Sequence, residues 1–181
     1  MVVIGLTGRN SAGKDSFADV LQEEGFERWS LSDVLREELR RRGEPITRDA
    51  LIALGQELRA AEGPAVLATR VQALIETDRV CLVSVRSPAE VEALRAKAGF
   101  VLVAVEAPTS LRFDRERARG REGAPQTLEV FLELEALENT TDENAQQLDA
   151  TIALADAVIR NDGSKKDLAW RTRALVEHID G

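Results

Sequence analysis

The stretch Gly8-Arg9-Asn10-Ser11-Ala12-Gly13-Lys14 constrains this chain more than any other. The Val-rich run VVIGL (2–6) precedes it, and a segment with Phe17, Val20 and Leu21 on one helical face follows it. A strand that turns through two glycines into a helix start aims successive backbone N–H groups at one point. The helix dipole adds positive potential there. Lys14 brings a mobile point charge. Together these suit the phosphate tail of a nucleotide such as ATP, so Gly8, Asn10, Ser11, Ala12, Gly13 and Lys14 are the candidate nucleotide-binding residues. Lys14 is also a candidate catalytic residue.

The position after the lysine holds Asp15, where this loop pattern ordinarily carries a Ser or Thr that ligates Mg²⁺. A carboxylate is also a hard oxygen ligand, direct or through water. Asp15 and the next hydroxyl, Ser16, are therefore the candidate metal ligands and join the nucleotide site. The alternative for Asp15 is a favourable charge in the first helical turn.

The 181 residues suffice for one domain with a sizeable core. Cys81 is the single cysteine, so no internal disulfide forms, and a reducing, cytoplasmic setting is expected. No basic leader precedes the first strand, so no signal peptide is expected, and no apolar run is long enough for a membrane span. A net charge of −8 argues against binding a nucleic acid polymer. The oligomeric state is not legible.

Four short apolar runs, VVIGL (2–6), VCLVSV (80–85), FVLVAV (100–105) and AVI (157–159), read as buried strands. Helical periodicity lies between them, including 88–98, 109–120, 127–137, 142–153 and 165–179. An all-helical excursion over about 32–77 interrupts the alternation. The expected fold is α/β: a three-layer P-loop NTPase fold with a five-stranded parallel sheet, helices on both faces and a helical acceptor-binding insert. The whole chain, 1–181, forms one domain on this reading. Ligands bind at the C-terminal ends of such strands.

The charges are unevenly placed. RFDRERARGR (112–121) carries five Arg against two acids, whereas 122–159 holds nine acids and no Lys, Arg or His. A local basic cluster in an acidic protein suits a small anion. Arg112, Arg115 and Arg119 share one helical face. Arg115 and Arg119 are the candidate catalytic arginines of a lid over about 109–123, with Arg121 as a further nucleotide contact. Gly120 to Gly123 is a candidate hinge. Asp33 and Arg36 share a face at another helix start, where Ser30 or Ser32 is placed to cap. Arg86 directly follows a buried strand and so points at the ligand crevice.

Several of these segments resemble known kinases. Ser32-Asp33-Val34-Leu35-Arg36 is similar to the adenylate kinase segment Gly-Asp-Met-Leu-Arg. The opening GLTG…GK resembles dephospho-coenzyme A kinases, and Gly13-Lys14-Asp15 resembles deoxynucleoside monophosphate kinases and one class of phosphomevalonate kinase. The pattern as a whole is similar to adenylate-kinase-like P-loop proteins often labelled dephospho-coenzyme A kinase-like. It is carried by Ser32–Glu38, Leu54–Arg59, Val85–Val91 and Arg119–Arg121. The resemblance implies that Arg36 and Arg86 grip an acceptor phosphate, with Arg59 a weaker candidate, and that Asp33 orients the attacking oxygen. It implies that the lid arginines meet the moving phosphoryl group. It also implies that the loop Arg160-Asn161-Asp162-Gly163 holds the adenine, making Asn161 a nucleotide contact. One departure stands out: those relatives place an Asp at the position of Val83.

The expected activity is Mg²⁺-dependent transfer of the γ-phosphoryl group of ATP to a small phosphate-bearing acceptor, a nucleoside or deoxynucleoside monophosphate. The alternatives are dephospho-coenzyme A as acceptor, or a nucleotide-binding regulator without turnover.

Overall fold

In the computed structural model, residues 1–120, 124–136, 139–140, 142 and 146–181 are described. Among them one five-stranded sheet runs through the molecule in the order β2-β3-β1-β4-β5, every neighbouring pair parallel. The strands are β1 (Val2–Thr7), β2 (Glu27–Ser30), β3 (Arg79–Val83), β4 (Phe100–Glu106) and β5 (Ala157–Arg160). The expected α/β fold with a parallel five-stranded sheet is the observed one.

Alternation along each strand splits the core in two. Ile4, Leu6, Cys81, Val83, Val103 and Val105 face α1 (Lys14–Glu23) and α9 (Lys165–Asp180), against Phe17, Leu21, Leu168 and Val176. Val3, Val80, Leu82 and Leu102 face the other layer. That layer contains α2 (Leu31–Arg42), α3 (Arg48–Glu62), α4 (Val66–Gln72) and α5 (Pro88–Arg95). The first three fill the excursion between β2 and β3, and Leu35, Leu39, Leu54, Leu58, Leu67 and Val71 bury their inner faces. Burying a Leu or Val side chain is worth about 1.5–3 kcal/mol, so this insert is held by its apolar stripes.

The chain departs from the sequence expectations at four elements. β2, with sequence ERWS, has no apolar run to announce it; it is a short edge strand paired to β3. The second run, VCLVSV, ends as a strand at Val83, because Ser84 takes φ 69 and turns the chain out of β3. β5 is the opposite edge, and Val158 is 52% exposed there rather than buried. The helix expected over 142–153 is shorter: α8 spans Leu148–Ala153, while Asn139 and Gln147 form an isolated antiparallel bridge. Among the described residues, α6 (Thr109–Ala118) and α7 (Leu128–Ala136) lie between β4 and α8. Among the described residues no helix is long and apolar enough to cross a membrane.

Candidate active site

β1 lies at the centre of the sheet, where strand order reverses, so the loop after it opens at the crevice of the fold. Gly8 at φ 133, Ser11 at φ 58 and Gly13 at φ 105 curl that loop. A Cβ on Gly8 would stand 2.3 Å from the Val105 carbonyl oxygen of β4, and one on Gly13 would stand 1.9 Å from Asn161 Nδ2. The space a side chain would need is taken by backbone and by a buried amide, leaving a cradle lined by main chain. Lys14 Nζ donates to the carbonyl oxygens of Gly8 at 2.6 Å and Arg9 at 2.9 Å, arching back over the loop. Ala12 is fully buried and Ser11 nearly so, its hydroxyl donating to Glu116.

Two elements brace this cradle from outside. Asn161, 6% exposed just after β5, donates to the Ala12 carbonyl at 2.7 Å. Arg115 of α6 donates to the Asn161 carbonyl at 3.1 Å and reaches the Ala12 carbonyl at 3.4 Å. Burial, then the neighbouring charge of Arg119, lowers the pKa of Arg115. Arg112 is buried, donates to Asn10 O at 3.2 Å and pairs with the buried Glu135 of α7. Arg119 approaches Asp15 at 3.8 Å and Glu116 at 3.7 Å. The three arginines assigned to one face of α6 thus run in a row across the loop, each with its own partner. Arg112 pins the loop structurally. Arg121 lies outside the described residues, as does Gly123 of the expected hinge.

A cleft of about 490 Å³ opens beside the loop, lined among others by Arg9, Val105, Pro108, Thr109, Ile152 and Asp162. It has the size of a nucleoside subsite. Arg9 at its mouth pairs with Asp149 of α8. The Asn161 side chain is turned to Ala12, and Arg160 and Asp162 of the same loop line the cleft.

The acceptor candidates sit across the crevice, at the start of α2 and the end of β3. Ser30 caps α2 in a capping box: Ser32 N donates to Ser30 Oγ at 3.3 Å, and Ser30 N donates to Asp33 Oδ2 at 3.1 Å. The other Asp33 oxygen accepts from Arg36 at 2.8 Å, and Arg36 also donates to Ser32 Oγ at 2.6 Å. Asp33 therefore both caps the helix and holds Arg36. Arg86 donates to Gln146 at 2.7 Å. Arg59 faces the buried Glu90 at 3.4 Å. Among the described residues of 122–159, Glu135, Gln146 and Asp149 each meet an arginine of the site.

Comparisons with known proteins place this architecture. No family model matches the chain. A UPF0200 protein of Thermococcus gammatolerans is 34% identical over 187 residues, covering 99% of this chain and 95% of that one. The chain belongs to the UPF0200 family. Among solved structures, a Thermus thermophilus protein, TT1252, superposes with a TM-score of 0.63 at 21% identity, covering 99% of this chain and 98% of that one. A shikimate kinase from Bacteroides thetaiotaomicron superposes with a TM-score of 0.62 at 15% identity, covering 97% and 98%. The UPF0200 chain thus has a P-loop kinase fold.

For a metal, this UPF0200 chain offers one carboxylate and one hydroxyl on the first turn of α1, Asp15 and Ser16. Mg²⁺ is commonly held by one or two carboxylates, phosphate oxygens and water, so this donor set fits. Asp15 Oδ1 accepts from Arg28 of β2 at 2.6 Å, and a metal would have to displace or share that pair. Val83, at the position where an Asp was expected in resembling kinases, is buried among apolar neighbours and supplies no ligand. Sequence reasoning missed Arg28, Glu135, Asp149 and Glu90. Glu90 alone left a local signal, a Ser-Pro-x-Glu cap; the others depend on contacts between distant segments.

Proposed function

We propose that this chain transfers the γ-phosphoryl group of ATP to a small phosphate-bearing acceptor, a nucleoside or deoxynucleoside monophosphate. The observation that carries the reading is the pair of cationic groups on opposite sides of one crevice. Lys14, Arg115 and Arg119 stand at the loop; Arg36 and Arg86 stand at the start of α2 and the end of β3. Phosphoryl transfer needs alignment and charge neutralisation more than covalent help, and cations on both sides of the crevice supply it. The fold-level likeness to a shikimate kinase supports transfer to a small molecule without choosing the acceptor.

On this reading the amides of residues 8–14 and Lys14 hold the phosphate tail, and the cleft beside Arg9 and Ile152 takes the nucleoside. Mg²⁺ bound at Asp15 and Ser16 would neutralise phosphate charge. Arg115 and Arg119 offset the charge that spreads over the moving group. Arg36 and Arg86 fork onto the acceptor's phosphate, and the Asp33 carboxylate orients its attacking oxygen. An arriving acceptor phosphate would compete with Ser32 and Asp33 for Arg36 and with Gln146 for Arg86.

A second reading, a nucleotide-binding regulator without turnover, draws on two observations: the apolar Val83 and the Arg28–Asp15 pair at the metal position. Calorimetry with ATP and a coupled assay over nucleoside monophosphates and dephospho-coenzyme A separate the two. The kinase reading expects turnover on a monophosphate, and Lys14→Ala should reduce it by about 100-fold or more. Stoichiometric ATP binding with no turnover on any acceptor supports the regulator. Unchanged ATP affinity in Lys14→Ala overturns both.

A further inference from the structure

Leu54–Arg59 on α3 has no task in this reading, and Val85–Val91 has one only through Arg86; the two motifs meet in space through Arg59 and Glu90. α5 opens with a capping box in which Ser87 and Glu90 exchange hydrogen bonds with each other's backbone. The capping-box bond asks only that the glutamate reach its cap backbone N–H. Here Glu90 is 1% exposed. Its Oε2 accepts from Ser87 N at 3.2 Å and also from Arg86 N at 2.8 Å. Its Oε1 faces Arg59 Nη2 at 3.4 Å, and the Arg59 side chain is itself only 11% exposed. A Cβ on Gly55, one turn before Arg59, would stand 3.0 Å from the Arg59 Nη1, so the glycine leaves the guanidinium its place.

A helix cap alone requires none of this burial. Burying a carboxylate is costly unless a cation and hydrogen bonds compensate it. Burial pushes the Glu90 pKa up, against two backbone donors and the Arg59 charge. The position serves something beyond starting α5. It fixes the backbone nitrogen of Arg86, whose carbonyl oxygen accepts from Gln147 N at 3.0 Å, so the acceptor arginine is launched from a peptide held on both sides. Through Arg59 the same carboxylate ties down α3. That helix also carries Glu57, which pairs with Arg42 of α2, the helix of Arg36.

We propose that Glu90 and Arg59 are positioning residues that set the Arg86 turn and hold the helical insert in register with it, so that Arg36 and Arg86 present one composite acceptor site. The inference rests on the kinase reading for its consequence and on the Arg59–Glu90 geometry for its mechanism. Neither side chain touches the acceptor.

Two full-length variants test it. Glu90→Gln keeps an oxygen for the Arg86 and Ser87 amides but removes the charge facing Arg59. Arg59→Lys keeps the charge and removes the planar fork. For the monophosphate that the wild type phosphorylates, both variants should raise the acceptor KM by about tenfold, leaving the KM for ATP within about twofold. In parallel, hydrogen exchange of the Arg86 and Ser87 amides and of the α3 amides should quicken together in Arg59→Lys. Equal changes in both KM values, or a lowered melting temperature with neither KM moved, would make the pair merely structural and overturn the proposal. If the wild type itself turns over no acceptor, the kinase reading fails, and exchange alone decides the coupling: faster exchange in α3 with unchanged exchange at Arg86 and Ser87 sinks it.

Discussion

The two sides of the crevice are built differently. On the nucleotide side, the loop is held by groups that have no alternative position: the Val105 carbonyl behind Gly8, the buried Asn161 amide on Ala12, and Arg112 on Asn10. On the acceptor side, Asp33, Arg36 and Arg86 are held by side chains that can trade partners, namely each other, Ser32 and Gln146. Arg36 and Asp33 are 37% and 52% exposed, whereas Arg112 is 3% exposed. A rigid cradle suits a phosphate tail common to all nucleotides; exchangeable clamps suit a group that must arrive, be gripped and leave.

The sharpest way to break this contrast is to intrude on the rigid side. Gly8→Ala places a methyl group 2.3 Å from a β4 carbonyl oxygen, at a φ of 133 that L-residues rarely adopt. β4 is paired to β1 along five residue pairs, so the obstacle is a strand in the middle of the sheet and not the end of a flexible side chain. Denaturant unfolding should show a loss of about 3 kcal/mol or more, with ATP binding abolished in whatever folds. A loss below about 1 kcal/mol would mean that the cradle yields, and the distinction between the two sides would go with it.

The acceptor side should respond in the opposite manner. Arg36→Lys keeps the charge and loses the planar fork, of which Nη1 alone donates to both Ser32 and Asp33. Half-exposed ion pairs contribute at most about 1 kcal/mol, so the melting temperature should barely move. A phosphate held bidentately should nonetheless weaken, with acceptor KM rising about tenfold and ATP affinity unchanged. A large stability loss with intact KM would recast Arg36 as part of the α2 cap. Together the two variants dissociate stability from acceptor recognition.

The same contrast explains what was legible in the sequence. The cradle is written in seven consecutive residues between a strand and a helix, so its pattern reads without knowledge of the fold. Its braces do not: Asn161 reaches Ala12 from 149 positions away, and only the assembled sheet puts β5 beside the loop. The acceptor residues were legible as types and spacing, yet their present partners were not, because Asp33 serves a capping box and an arginine at once. β2 escaped notice since a short edge strand has little apolar surface to bury, and its residues are at best partly covered. The contacts of the acidic stretch after α6 were not legible, because charge composition does not say which arginines it meets. Asp149 and Glu135 lie far along the chain from Arg9 and Arg112.

The finest comparison is by pH, within the acceptor insert. Glu38, on the side of α2 away from Asp33, accepts from Arg41 and Arg42, and these bonds lower its pKa from 4.5 to about 2. Arg42 in turn grips Glu57 on α3, whose pKa is also lowered by that bond. A carboxyl whose folded value lies below its unfolded one binds fewer protons when folded. Its contribution is therefore complete above the unfolded value near 4.5 and disappears as pH falls toward about 2. Glu38→Gln should flatten the acid limb of the stability curve in that window, while changing neutral-pH stability little, since all three groups reach solvent. Hydrogen exchange followed down the same pH range should show the α2 and α3 amides opening before those of α1, which bears the nucleotide cradle. Simultaneous opening of all three would mean that the insert and the cradle form one cooperative unit, and that the exchangeable side of the crevice is no softer than the rigid one.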